Sequence, residues 1–191
     1  MIWKMRKVYL IHGWGGSSKG GWFDWLGDKL KGRARVKAFD MPNANTPKID
    51  EWTGFLQNKI KTKDIDKQTY FVGHSIGCQM ILRFLEKLPP DAKIGGCAFV
   101  AGWLNLTDEA YGSEEDRKIA KPWLETPINF DKVKSHCNNF LAIFSDDDSL
   151  VPLSDADLFK EKLNARILVK KKQGHFNEAI EIPEILEFLI K

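Results

Sequence analysis

The run Gly73-His74-Ser75-Ile76-Gly77 follows Tyr70-Phe71-Val72 and sets a hydroxyl between two glycines, where an apolar strand-like segment meets a helical one. A serine there forms a nucleophile elbow. The backbone at such a turn is strained, and side chains two residues to either side would strike neighbouring backbone, so the turn needs Gly73 and Gly77. With 15 Gly and 8 Ser in 191 residues, about 0.05 matches to G-x-S-x-G are expected by chance, and the strand-to-helix context adds specificity. The competing reading is a glycine turn that cradles phosphate. No Lys follows the turn as in a P-loop and no G-x-G-x-x-G occurs, which disfavours it.

A hydroxyl at its ordinary pKa is a poor nucleophile and needs a base oriented by an acid, in the chain order Ser, Asp or Glu, then His. Two histidines lie downstream, His136 and His175. His175 follows the last strand-like segment and belongs at the carboxyl edge of a sheet, whereas His136 precedes a strand and falls at the opposite end. His175 is therefore the expected base, and His74 is more readily a packing or hydrogen-bonding residue than a base. The acid should come from Asp146-Asp147-Asp148, and the run itself leaves the choice open. Two of the three could be ordinary solvated carboxylates. Adjacent aspartates without EF-hand spacing or a histidine cluster ligate poorly, so no metal is expected. His12-Gly13-Trp14-Gly15-Gly16 can aim amides at a developing oxyanion, and the amides of Trp14 and Ile76 are the expected donors. Such a turn could equally cap a helix. Gly13, Trp14, His74, Trp103 and Trp123 are expected to line an aromatic, apolar substrate site.

These residues need a scaffold that brings loops 100 residues apart together. The short apolar runs 8–11, 34–39, 69–72, 94–100, 140–144 and 166–169 read as strands buried on both faces. Amphipathic stripes separate them: Trp22, Trp25, Leu26 and Leu30; Trp52, Phe55, Leu56 and Ile60 after an N-cap at Asp50; and Ile81, Phe84, Leu85 and Leu88, stopped by Pro89-Pro90. Ser154-x-x-Asp157 resembles a capping box, and Pro183 can start a last helix striped by Ile182, Ile185, Leu186 and Leu189. The alternation predicts a doubly wound parallel sheet in one domain spanning 1–191, with ligands at the carboxyl ends of the strands. Residues 103–139 are the exception. Gly112, Pro122 and Pro127 interrupt any long period, predicting an irregular loop over those ends, with a short helix at Glu114-Glu115-Asp116.

Hydrophobic residues make up 43% and charged residues 29%, which excludes disorder and fibrous repeats. The net charge is +3 with both signs interspersed, so no nucleic-acid partner is expected, and the basic runs 59–63 and 170–172 read as solvated faces. Cys78, Cys97 and Cys137 form no C-x-x-C pair, and an odd count fits a reducing compartment better than a disulfide framework. Lys4, Arg6 and Lys7 precede too short an apolar run for a leader or a membrane span. A cytoplasmic location is expected, with no membrane partner.

Taken together, His12-Gly13-Trp14-Gly15-Gly16, Trp22-x-x-Trp25, Asp40-Met41-Pro42-Asn43, Gly73-His74-Ser75-Ile76-Gly77, Pro122-Trp123, Asp148-x-x-x-Pro152 and Gly174-His175-Phe176 resemble the small, cap-less YdeN-like serine hydrolases of the α/β-hydrolase superfamily. The resemblance covers nearly the whole chain. It implies Ser75 as nucleophile, Asp148 as acid and His175 as base, hydrolysis of a small carboxylic ester or an amide, and no cofactor. It also implies six parallel strands in order 2-1-3-4-5-6, helices on both faces and no separate cap domain, with the two leading antiparallel strands of larger relatives missing. The acid assignment rests on spacing in that family, four residues before a proline, which Asp148 meets with Pro152. Whether Asp147 supports that acid is left open by the sequence. Binding to a pocket protein is not expected, because none of the three cysteines sits in L-x-C-x-E. The rival readings are a binding protein that keeps the scaffold without turnover, and a peptidase or thioesterase of the same fold. A cap-less site predicts a shallow pocket that prefers short acyl chains.

Overall fold

The computed structural model describes residues 5–191; Met1 to Lys4, including the Lys4 weighed above as part of a leader, lie outside them. Among these residues six strands form one sheet: β1 (Arg6–Ile11), β2 (Ala34–Phe39), β3 (Thr69–His74), β4 (Gly96–Val100), β5 (Phe140–Ser145) and β6 (Arg166–Lys170). Every pairing is parallel and the order is β2-β1-β3-β4-β5-β6, as the resemblance implies. Among the described residues seven α-helices connect or follow the strands: α1 (Gly21–Leu30), α2 (Ile49–Lys59), α3 (Ile76–Glu86), α4 (Glu114–Glu125), α5 (Phe130–His136), α6 (Asp155–Leu163) and α7 (Pro183–Ile190).

Alternation along the strands divides the core in two. Phe71, Phe99, Ala142 and Phe144 point to a layer built with α2, α3, α5 and α6, while Val72, Ala98, Val100 and Ile143 point to a layer built with α1 and α7. The central strands β3, β4 and β5 are buried on both faces with one partial exception, His74. The edge strands β2 and β6 are not. Covered and open positions alternate along β2, no residue of β6 is fully buried, and Val169 stands half exposed, because the helices do not reach past the outer strands on both faces.

The predicted stripes are the buried faces, but α3 is enclosed all round, from Ile76 to Leu85. Two predicted caps are not made. Asp50 lies inside the first turn of α2, behind an extended Lys48, where its charge favours the helix dipole; Ser154 stands at the N-cap of α6 but in helical backbone, without a side-chain bond. The segment 103–139 departs most from expectation. It carries α4 and α5, with side-chain caps from Ser113 to the Asp116 amide and from Asn129 to the Lys132 amide. Pro122 lies within α4, where it forfeits a backbone bond. Tertiary contacts outweigh that loss: Arg83, buried in α3, donates through Nη2 to the carbonyls of Trp123 and Thr126, and the Trp123 indole N–H donates to Pro47 O at 3.0 Å. Among the described residues no helix is long and apolar enough to cross a membrane.

Candidate active site

Strand register brings the chemistry-bearing turns together. Ile11 pairs with Gly73, so the turn after β1 leaves the sheet beside the elbow, and Ser145 pairs with Lys170, which sets the segment after β5 beside the one after β6. Ser75 sits between β3 and α3 at φ 53°, ψ −125°, a conformation strained for any side chain. A Cβ at Gly77 would stand 2.4 Å from Ile11 O and one at Gly73 2.8 Å from the Cys78 amide nitrogen, so both flanking positions require glycine. The amide of Ser75 donates to Val100 O and that of Cys78 to Ser75 O, each at 2.9 Å. Ile76 opens α3, and its N–H therefore has no acceptor within the helix.

The first-strand turn lies directly against this elbow. A Cβ at Gly13 would come 3.1 Å from His74 Nδ1 and 3.2 Å from Ser75 Cβ. The turn is fixed from the other side, since the Gly15 amide donates to Ala44 O at 2.8 Å and the Trp14 indole to Asn45 O at 2.9 Å. His12 is buried; it donates through Nδ1 to Gly13 O and accepts from the Met41 amide at Nε2, 2.9 Å, which fixes its tautomer. Burial lowers its pKa.

His175 Nδ1 lies 2.8 Å from Asp148 Oδ2, and both side chains are nearly enclosed, at 10% and 2% exposure. Asp148 Oδ1 accepts from the amides of Leu150 at 2.9 Å and Val151 at 3.2 Å, so one carboxylate oxygen is spent on its own turn and the other faces the imidazole. Asp146 and Asp147 do not reach that ring; each accepts a backbone amide instead, from Lys172 and Gly174 respectively. His74 Nε2 donates to His175 O at 2.7 Å and its ring packs 5.1 Å from that of His175. Burial, and next the neighbouring His175, push the His74 pKa down to about 4, so this imidazole is neutral near pH 7. His136 lies at the other end of the sheet, with Nδ1 on Ala92 O.

One cleft of about 520 Å³ holds Ser75, His175, Gly13, Trp14, His74 and Trp103 together. Trp123 is not among its lining residues. Its ring is buried in the core against Trp52, at 5.8 Å, because the helix that 114–125 forms turns it inward. Sequence reasoning missed Leu106, Leu150 and Phe176 in the wall and also Asp155, which is fully buried and holds the strap carrying Trp103 and Leu106. Asp155 Oδ2 accepts from the amides of Leu104 and Asn105, and Oδ1 from the Asn105 side chain at 2.7 Å. No local pattern marks Asp155, since its partners lie 50 residues upstream.

A protein-family model described as serine hydrolase matches residues 8–184. The chain belongs to that family. Within it, the sequence is 29% identical to YdeN of Bacillus subtilis strain 168 over 174 residues, 91% of this chain and 87% of that one. It is 24% identical to the serine hydrolase RBBP9 of Rattus norvegicus over 177 residues, 89% of this chain and 87% of that one. The crystal structure of the Bacillus subtilis YdeN product superposes on this serine hydrolase with a TM-score of 0.85, at 28% identity and 97% coverage of both chains. A carboxylesterase structure from Nitrososphaera gargenis, 16% identical with a TM-score of 0.68 over 98% of this chain and 89% of that one, shares the fold.

Proposed function

We propose that this serine hydrolase cleaves small carboxylic esters through an acyl-enzyme on Ser75, with His175 as general base and Asp148 as its orienting acid. The observation that carries the reading is the 2.8 Å contact between His175 Nδ1 and Asp148 Oδ2 in the cleft that holds the strained elbow serine. With Nδ1–H held by Asp148, Nε2 carries the lone pair a base requires. Ser75 Oγ attacks the ester carbonyl carbon as its proton passes to His175 Nε2, and the imidazolium is stabilised by Asp148. The amides of Trp14 and Ile76 donate to the oxyanion. The C–O bond to the alcohol then breaks as Nε2 returns the proton to it, and water, deprotonated by the same nitrogen, releases the acid. Gly13, Trp14, His74 and Trp103 face the substrate.

The cleft is walled by the turn after β1, the start of α1, Trp103 and Leu106 of the strap, Asp116 of α4 and the loop of His175, and acyl chains beyond roughly C6–C8 gain little further burial there. The test combines fluorophosphonate labelling with a series of p-nitrophenyl esters from acetate to laurate. Labelling should fall on Ser75, kcat/KM should peak among the short esters, and Ser75→Ala should abolish both labelling and turnover, a loss on the order of 10⁶ in kcat. Undiminished labelling of the Ala variant would overturn the nucleophile. Turnover of thioesters or peptides, with every ester left intact, would keep Ser75 and overturn the substrate class.

A further inference from the structure

The residues ahead of Asp148 all turn toward the backbone that carries His175. Asp146 Oδ1 accepts from the Lys172 amide at 2.9 Å, Ser145 Oγ from the Gln173 amide at 2.9 Å, and Asp147 Oδ1 from the Gly174 amide at 2.8 Å. The Ser145 hydroxyl in turn donates to Asp147 Oδ1 at 2.7 Å. Four consecutive residues, 172 to 175, are thus each held by one side chain from 145–148. The held segment and the residue after it would not keep this shape unaided: Lys172, Gly174 and Phe176 all have positive φ, 55°, 52° and 60°, and two of them are not glycine.

We propose that Asp147, together with Ser145, is a positioning residue for the general base: the pair clamps the amides of Gln173 and Gly174 and so fixes where the His175 ring meets Ser75 and Asp148. The inference rests on the assignment of His175 as base. Its geometry has the right economy, since one carboxylate oxygen serves both the Gly174 amide and the hydroxyl that serves Gln173. Those same two bonds, the Ser145 hydroxyl first, hold the Asp147 carboxyl below the usual range and keep it an acceptor at neutral pH. Asp146 holds the Lys172 amide, three residues before His175, and has the smaller influence.

Asp147→Ala removes the shared acceptor, whereas Asp147→Asn retains an oxygen able to take both bonds. Because the same imidazole acts in acylation and deacylation, a misplaced ring slows both steps together. We expect Asp147→Ala to lower kcat by roughly 10–100-fold with KM changed less than about twofold, and Asp147→Asn to stay within about threefold of wild type. The rate of fluorophosphonate labelling at Ser75 should fall by the same factor as kcat. In proton NMR, the downfield His175 Nδ1–H resonance should shift or broaden in the Ala variant and persist in the Asn variant, with faster exchange of the Gly174 amide. If Asp147→Ala does not fold, Ser145→Ala carries the same readouts through Gln173. A variant with a lower melting temperature but unchanged kcat, labelling rate and His175 resonance would overturn the proposal. Wild-type protein that takes up no fluorophosphonate would overturn the Ser75 reading instead, and the clamp would then be judged on the resonance and the amide exchange alone.

Discussion

At Asp148 the two carboxylate oxygens divide their work, Oδ1 on the turn amides of Leu150 and Val151 and Oδ2 on the imidazole. Asparagine at this position could keep the turn, yet its amide could present a donor toward Nδ1 and so favour the wrong tautomer. We predict that Asp148→Asn folds normally but loses up to about 10⁴ in kcat, the scale known for the corresponding change in chymotrypsin-type triads. Asp146→Asn, which keeps an acceptor for Lys172, should stay within roughly tenfold. Steady-state kinetics of the two variants on one p-nitrophenyl ester decide the matter. A dead Asp146→Asn beside a healthy Asp148→Asn would reverse the assignment.

Among the elements, the join of β3 to α3 tolerates least. A methyl at Gly77 would meet Ile11 O at 2.4 Å and His12 O at 2.6 Å, both backbone atoms, so the end of β1 would have to move. Gly54, in the interior of α2, meets nothing within 4 Å. The same substitution therefore has opposite signs at the two sites. Gly77→Ala should destabilise by about 1–3 kcal/mol or more, as overpacking does, and Gly54→Ala should stabilise by roughly 0.5–1 kcal/mol through helix propensity. At this chain length each kcal/mol moves the melting temperature by about 2–4 °C, so thermal scans separate the two. A Gly77→Ala variant as stable as wild type would show that the first-strand turn can yield.

For the molecule as a whole, His74 and His12 shape the response to acid. The His74 pKa is pushed down to about 4 in the folded state and returns to about 6.5 on unfolding. Between those values the unfolded chain binds the extra proton, so stability is intact above about pH 6.5 and declines as the pH falls toward 4, by up to about 3 kcal/mol. His12, shifted in the same direction by burial, adds to the decline. Carboxylates held low by hydrogen bonds, such as Asp147, lose their contribution only at still lower pH. Urea unfolding at pH 7 and pH 5 should show the loss, and His74→Gln, whose amide can still donate to His175 O, should flatten the slope. An unchanged slope in that variant would remove His74 as its source.

Much of this was legible in the chain because it is local. Ser75 and its two glycines are dictated by steric needs within five residues, and the strand–helix alternation by periodicities of two and 3.6. The parallel sheet follows from that alternation, since only crossovers can join parallel strands. What the sequence left open depends on partners far along the chain. Asp146, Asp147 and Asp148 are chemically alike, and only the register of β5 on β6 gives them different partners. Trp123 and Trp103 are equally aromatic and equally buried in one core layer, yet only Trp103, on the strap held by Asp155, borders the cleft, while the helix formed by 114–125 packs Trp123 against Trp52. Pro122 argues locally against that helix, but the contacts from Arg83 and Pro47 exist only once α3 and the segment before α2 are packed beside it. Long-range hydrogen bonds decide these cases, because their energies exceed the local preferences they oppose and leave no trace in the neighbouring sequence.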